Sequence, residues 1–163
     1  MTRLRLFPVV SVLLVFTFLA GCSGQRLPDG MPRLFPCEII ILQGGEPLAQ
    51  AMVTIIPTEE GNKWSASGRT DDAGKAIMYT WGQYAGAPEG TYKVVIGKTE
   101  VVGAPPAATT EEAARRPPDR FYELVEAIYS EASTTPLEIE VKRGTRTFTL
   151  DAGEAVRISI PSR

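Results

Sequence analysis

Short segments in which apolar and polar residues alternate recur through this 163-residue chain, and clusters of Gly, Asp and Pro separate them. Within residues 90–96, three apolar side chains fall on one side of an extended backbone: Tyr92, Val94 and Ile96. Residues 137–142 repeat this pattern. A period of two is typical of half-buried β-strands, and the lack of strand–helix alternation favours antiparallel sheets. We therefore predict an all-β domain.

Three hairpins are predicted where turn-forming residues separate neighbouring strands. Gly44 and Gly45 permit the positive φ angles of a tight turn. Asp71 and Asp72 offer side-chain acceptors to turn amides, and Gly74 supplies a left-handed residue. The predicted hairpins join residues 37–43 to 51–56, residues 64–70 to 76–80, and residues 137–142 to 145–150.

Residues 99–133 are expected to leave the sheets as an excursion with one or two short helices. Thr109 and Glu112 have the spacing of a capping box, and Glu111 lies one helical turn before Arg115. Both features predict a short helix. A second short helix is predicted to begin at Asp119 and to have an apolar face of Phe121, Leu124, Val125 and Ile128.

The sequence contains no histidine. This removes the commonest general base, the usual zinc ligand and any nucleophile paired with an imidazole. The net charge of −2 also disfavours nucleic-acid binding, which needs a clustered basic face. We expect no catalytic residues, no metal and no cofactor, and therefore a protein that is not an enzyme and has no nucleic-acid partner.

The amino-terminal segment has the three parts of an export signal. Arg3 and Arg5 precede an apolar run over residues 6–19, and small residues follow before Cys22. This run is too short and wrongly flanked for a permanent membrane span. An ordinary secretory signal that ends near a cysteine is the alternative interpretation. Location at the cell envelope is expected if a lipid on Cys22 holds the exported chain on a membrane.

Leu19, Ala20, Gly21 and Cys22 resemble the lipobox of bacterial lipoproteins. The resemblance implies cleavage before Cys22, a diacylglyceryl group on its thiol and usually an acylated amino terminus. Two or three acyl chains hold a protein on a membrane far more firmly than one. Ser23 in place of aspartate implies delivery to the outer membrane, facing the periplasm or the cell surface.

These observations divide the chain into three parts. Residues 1–21 are predicted to be a signal peptide, and residues 22–35, which are rich in Gly, Pro and polar residues, a lipidated tether. Residues 36–160 are predicted to form one domain, because the remaining length suits a single core.

Four blocks within that domain are similar to the carboxypeptidase regulatory-like domain. They are residues 45–48 (GEPL), 51–57 (AMVTIIP), 68–75 (GRTDDAGK) and 88–94 (PEGTYKV), and their order and spacing carry the likeness. The resemblance implies a seven-strand antiparallel β-sandwich of the transthyretin-like or Ig-like type, found in many small bacterial lipoproteins. It implies a structural or protein-interaction module with no catalytic residues.

Trp64, Trp81 and Tyr84 are the best candidates for ligand contact. Flat aromatic rings in loops can stack on sugar rings, so carbohydrate binding is the alternative function. In a small sandwich, tryptophan also commonly seals the core. The expected partners are the membrane, through Cys22, and either an envelope protein or a polysaccharide.

Acidic residues and the second cysteine leave further alternatives. Asp71, Asp72 and Gly74 form either a plain turn or part of a calcium loop, and the remaining ligands of such a loop are missing at the required spacing. Adjacent acidic pairs, Glu59–Glu60 and Glu111–Glu112, point apart and are expected to be solvated. Cys37 is either a buried apolar thiol or a reactive or intermolecular one.

Overall fold

The computed structural model describes residues 27–103, 109–115 and 117–160, and its regular structure is almost entirely β-sheet. The strands are β1 (Leu34–Phe35), β2 (Glu38–Gln43), β3 (Glu46–Pro47), β4 (Met52–Pro57), β5 (Ala66–Arg69), β6 (Lys75–Ile77), β7 (Tyr79–Thr80), β8 (Tyr84–Ala85), β9 (Ala87–Pro88), β10 (Gly90–Gly97), β11 (Thr99–Val102), β12 (Arg120–Glu123), β13 (Glu138–Val141), β14 (Thr147–Asp151) and β15 (Ile158–Ile160). The helical elements are α1 (Thr110–Arg115) and a 3₁₀ turn (Ala127–Tyr129). The all-β prediction is confirmed.

The largest sheet contains six strands in the order β13-β10-β4-β5-β7-β8. Its centre is the antiparallel pair β10 and β4, in register from Tyr92 opposite Pro57 to Gly97 opposite Met52. Tyr92, Val94 and Ile96 are all buried, as the period of two predicts. The inner face of this sheet therefore supplies much of the core.

A second sheet contains β14, β2 and β3, with β6 also paired to β2. β14 runs parallel to β2, from Thr147 opposite Glu38 to Asp151 opposite Leu42. The prediction that all strands pair in antiparallel fashion is therefore wrong for this pair. A parallel neighbour needs a connection that crosses between strands, which local turn signals do not reveal.

Two of the three predicted hairpins are wrong because the chain changes sheets after the turn. β2 turns at Gly44–Gly45 and pairs with the short β3, whereas β4 joins the other sheet. β13 pairs with β10, and β14 pairs with β2. The third hairpin is confirmed in part, since β5 pairs with β7 but β6 pairs with β2.

Inner residues of both sheets belong to a single hydrophobic cluster. β2 contributes Ile39 and Ile41, which are completely buried. The six-stranded sheet contributes Val53, Ile55, Tyr92, Val94, Ile96, Ile139 and Val141. Burying branched side chains of this size contributes about 1.5–3 kcal/mol each. The two sheets are thus stabilised by one shared core.

The excursion supplies β11 and β12 to a third sheet, in the order β11-β12-β15, and β15 comes from a later part of the chain. The predicted second helix is wrong, because Arg120–Glu123 is a strand paired on both sides. Aromatic residues such as Phe121 and Tyr122 fit a strand better than a short helix. Pairing with the two neighbouring strands then stabilises the extended conformation. The first helix is confirmed as the six-residue α1, with Glu111 and Arg115 joined by a 2.8 Å ion pair.

The folded part of the chain begins before residue 36, where the sequence predicts the domain boundary. β1 pairs with β9, with Leu34 opposite Pro88 and Phe35 opposite Ala87. Met31 is also buried, and its amide donates to the carbonyl of Pro28. The last residues of the predicted tether are therefore part of the domain.

The passage of the chain between the two larger sheets is held by Thr70. Its buried hydroxyl donates to the carbonyl of Leu48 at 2.6 Å and accepts from the amide of Ala51 at 2.8 Å. The backbone amide of Thr70 donates to the carbonyl of Ala51, and that of Gln50 to the carbonyl of Thr70. These bonds fix the segment through which the chain leaves β3 and enters β4.

Replacing Thr70 by valine is expected to lower the free energy of unfolding by about 2–4 kcal/mol, because two buried backbone groups lose their partner. Thr70→Ser keeps the hydroxyl and should lose much less. Thr58→Val is the control, since the exposed Thr58 hydroxyl makes one 3.1 Å bond to the carbonyl of Thr91. Urea denaturation measures all three, and equal losses for Thr70→Val and Thr58→Val would contradict this role.

Candidate functional site

Trp64 and Trp81 lie in contact at the surface, with ring centroids 4.7 Å apart and an angle of 42° between the ring planes. We call them the tryptophan pair. Trp64 comes from the loop between β4 and β5, and Trp81 from the turn between β7 and β8. Two elements distant in the sequence therefore build one aromatic surface.

Trp81 occupies a backbone conformation that a bulky residue rarely adopts. It has a φ of 54° and is followed by Gly82 with a φ of 68°. The amide of Gln83 donates to the carbonyl of Thr80 at 3.2 Å and closes the turn. Asn and Gly are the usual residues with consecutive positive φ angles in a hairpin turn. A tryptophan here is strained, and strain of this kind is concentrated at functional sites.

Trp64 is fixed from its own loop. The side-chain oxygen of Asn62 accepts a 3.1 Å hydrogen bond from the amide of Trp64. The ammonium group of Lys63 lies 5.2 Å from the centroid of the Trp64 ring, within range of a cation–π interaction. The ring of the half-buried Trp64 is thus close both to a cation and to the ring of Trp81.

An open groove of about 520 Å³ adjoins the pair. It has a mixed lining of charged, polar and apolar side chains: Pro32, Arg33, Phe35, Glu59, Asn62, Trp64, Pro88 and Glu89. Both signs of charge are therefore present along the groove, together with aromatic rings.

Part of this groove comes from residues that the sequence analysis assigned to the tether. Pro32, Arg33 and Phe35 reach it because β1 is paired with β9. The guanidinium of Arg33 lies 5.5 Å from the centroid of the Phe35 ring. The sequence signal for this contribution is weak, since a two-residue strand has no measurable period. The chain thus enters the domain beside the tryptophan pair.

An exposed apolar row leads to Trp81. Ile77, Tyr79 and Trp81 alternate with buried residues and are 45%, 38% and 51% exposed, respectively. The three exposed side chains come from the end of β6, from β7 and from the turn that follows β7. The surface formed by these three residues is therefore more apolar than a solvated strand face requires.

The structure brings together two of the three predicted aromatic residues. Tyr84 lies half-buried on β8 and makes no ring contact with Trp64 or Trp81 in the part of the chain that the structure describes. Carbohydrate binding by these three residues stays a prediction.

Asp71, a candidate for part of a calcium loop, is bonded as a turn residue. The carboxylate of Asp71 accepts from the amides of Ala73 and Lys75 at 3.0 and 2.9 Å, which is the bonding of a turn. Gly74 has the expected left-handed φ of 71°. Within the described residues, no group of three or more acidic, Cys or His side chains is arranged to hold a metal ion. Glu59 lines the groove, whereas Glu111 pairs with Arg115.

Cys37 lies in the hydrophobic cluster and is 1% exposed. Burial raises the pKa of its thiol to about 12, and the carboxylate of Glu38 adds to the increase. A thiol in this state is a poor nucleophile, because the thiolate is the reactive form. Burial also raises the pKa of Tyr92 to about 12; a hydrogen bond with Asn62 opposes this increase, and Cys37 and Glu59 add to it. The Tyr92 hydroxyl donates to the carbonyl of Pro88 at 2.9 Å.

The predicted lipobox, Leu19, Ala20, Gly21 and Cys22, lies outside the described residues. None of the helices in the described part of the chain has the length and apolar character needed to cross a bilayer.

Comparison with family models, with curated protein sequences and with solved structures gives no match for this chain. The interpretation of the site therefore depends on its own geometry.

The stability of the fold is expected to fall as the pH rises above about 9, because the unfolded chain loses protons that the folded chain keeps. The pKa values of Cys37 and Tyr92 are raised from ordinary values of 9.0 and 10.0, so their contribution is complete below pH 9 and is lost toward pH 12. In that range, each group lowers the free energy of unfolding by up to about 1.4 kcal/mol per pH unit.

Urea denaturation between about pH 8 and pH 11 measures this slope. Tyr92→Phe lowers stability at every pH because the bond to Pro88 is lost, but it should flatten the decline above pH 10. Cys37→Ala should flatten it from pH 9. An unchanged slope in both variants would contradict this assignment.

Proposed function

We propose that this chain is a non-catalytic, lipid-anchored protein that acts as a structural or protein-interaction module at the cell envelope. The lipobox-like residues Leu19 to Cys22 support the anchor, with delivery to the outer membrane. The observation that carries the interaction role is the tryptophan pair, which is held at the surface by a strained turn beside an open groove.

For the fold, we propose a transthyretin-like β-sandwich of the carboxypeptidase regulatory-like type. Support comes from the single hydrophobic cluster shared by β2 and the six-stranded sheet, as in two sheets packed face to face. The parallel pair β2 and β14 is a departure from a purely antiparallel sandwich. The third sheet is then an addition to the sandwich.

The hydrogen bonds that polar side chains make to the backbone support the non-catalytic role. Asp71 is bonded to turn amides, and the buried hydroxyls of Thr70, Thr80 and Thr135 are bonded to backbone carbonyls. In the described ranges, every buried side-chain nitrogen and oxygen has a hydrogen-bond partner. These polar groups are therefore used to hold turns and connections. Turnover of a substrate in a broad hydrolase screen would contradict this proposal.

Carbohydrate binding is the second candidate function. It is favoured by the exposure of Trp81 and by the polar side chains of Glu59, Asn62 and Glu89 in the adjoining groove. The tilt of 42° between the rings is less suited to it, because a sugar ring stacks best on one flat surface. A saturable shift of tryptophan emission on addition of a polysaccharide would favour this function.

Lipidation is tested by growing cells that express the full chain with radiolabelled palmitate. The wild-type chain should incorporate label and fractionate with membranes, and Cys22→Ala should lose both properties. Cys37→Ala is a matched control, because it removes the only other cysteine and should leave labelling unchanged. Equal labelling of wild type and Cys22→Ala, or no labelling of either, would contradict the anchor.

A further inference from the structure

We propose that the tryptophan pair is a membrane-contact site that inserts into the headgroup region of the bilayer to which Cys22 is anchored. This inference rests on the proposed lipid anchor and adds a second point of contact with the membrane. The occupant is the surface of a zwitterionic phospholipid bilayer.

The distance along the chain between the anchor and the domain is short. Pro28 is six residues after Cys22. Six residues span at most about 22 Å in any conformation. The carbonyl of Pro28 accepts a hydrogen bond from the amide of the buried Met31, so this turn links the segment after Cys22 to the domain. An anchored Cys22 therefore holds this part of the domain close to the bilayer.

The tryptophan pair lies at the same part of the domain. Pro32 and Arg33, which follow Met31, line the groove together with Trp64. Trp81 contacts Trp64 and is the more exposed of the two rings. The surface nearest to the anchor thus carries the aromatic rings.

The side chains at this surface match the chemistry of a bilayer interface. Tryptophan has a large apolar ring and one N–H donor, and it is enriched where hydrocarbon meets headgroups. Arg33 and Lys63 supply cations beside the rings of Phe35 and Trp64, suited to headgroup phosphates.

The acidic side chains of the groove favour a zwitterionic bilayer over an anionic one. Glu59 and Glu89 line the same groove as Arg33. A strongly anionic surface would repel these carboxylates, whereas a zwitterionic headgroup offers an ammonium group to them and a phosphate to the cations. The mixed charge of the groove is therefore complementary to a zwitterionic phospholipid.

The exposed row extends this contact. Tyr79 and Ile77 lie two and four residues before Trp81 and are both exposed, so they are the apolar side chains that insertion of Trp81 would bring toward the lipid. Partial burial of such side chains adds to the affinity of the acyl chains. Contact at two points then fixes the orientation of the domain on the membrane.

The experiment uses intrinsic fluorescence, because Trp64 and Trp81 are the only tryptophans of the chain. The full lipidated protein is reconstituted into phosphatidylcholine vesicles, with or without brominated acyl chains. We expect tryptophan emission at shorter wavelength than in urea-unfolded protein, and strong quenching by the brominated lipid. Trp81→Asn removes the exposed ring and suits the left-handed turn, so it should fold and lose most of the quenching.

A reporter elsewhere on the domain controls for simple proximity to the vesicle. Phe121→Trp, in a chain that also carries Trp64→Phe and Trp81→Asn, places one tryptophan on β12, whose partner β11 follows the far end of β10. This reporter should be quenched little. Quenching equal to that of wild type would overturn the proposal.

Palmitate labelling of the same preparation separates the two proposals. Labelled protein whose tryptophans are not quenched overturns membrane contact and leaves the anchor intact, whereas unlabelled protein overturns both. A shift of emission caused by polysaccharide, without quenching by brominated lipid, assigns the rings to carbohydrate and also overturns membrane contact.

Discussion

The buried hydroxyl of Thr70 decides how the chain passes from one sheet to the other. Leu48 donates its amide to the carbonyl of Ile41 in β2, and three residues later Ala51 leads into β4. Thr70, at the end of β5, bonds to both Leu48 and Ala51. Gln50 takes a φ of 58° between them, an unfavourable conformation that these bonds offset. The shared core of the two sheets depends on this short connection.

The sequence predicts local features of this fold well and its pairing poorly. The period of two identifies the buried faces of β10 and β13, because burial follows directly from alternation. Asp71 is identified as a turn acceptor since the bonds are made within five residues. The partner of β14 is not predictable in this way, because its neighbour β2 lies about a hundred residues earlier. The strand Arg120–Glu123 is likewise not predictable from local pattern, since β11 and β15 complete its hydrogen bonding.

The same contrast between local features and strand pairing applies to the candidate site. Trp64 and Trp81 were identifiable as loop aromatics, but their contact depends on the arrangement of two separate connections. Phe35 and Arg33 were not identifiable, because their position depends on a two-residue strand paired with residues in another part of the chain. This pairing also brings the backbone of Phe35 very close to Gly86. A Cβ atom on Gly86 would lie 2.3 Å from the carbonyl oxygen of Phe35. Gly86 thus allows the entering chain to lie against the strand that follows the tryptophan turn.

Cys37 is the one cysteine within the described residues, and it lies in the hydrophobic cluster rather than at the surface. Cys37 lies immediately before β2 and is 1% exposed, and burial raises the pKa of its thiol to about 12, so the reactive thiolate is scarce at neutral pH. Cys37 is also only two residues after Phe35, which lines the groove beside Trp64. The segment that leads into β2 therefore begins at the surface that carries the groove. Under the proposed lipid anchor, a pull on the amino-terminal end of the chain would act first on the β1–β9 pair, in which Pro88 also accepts the hydrogen bond of the Tyr92 hydroxyl.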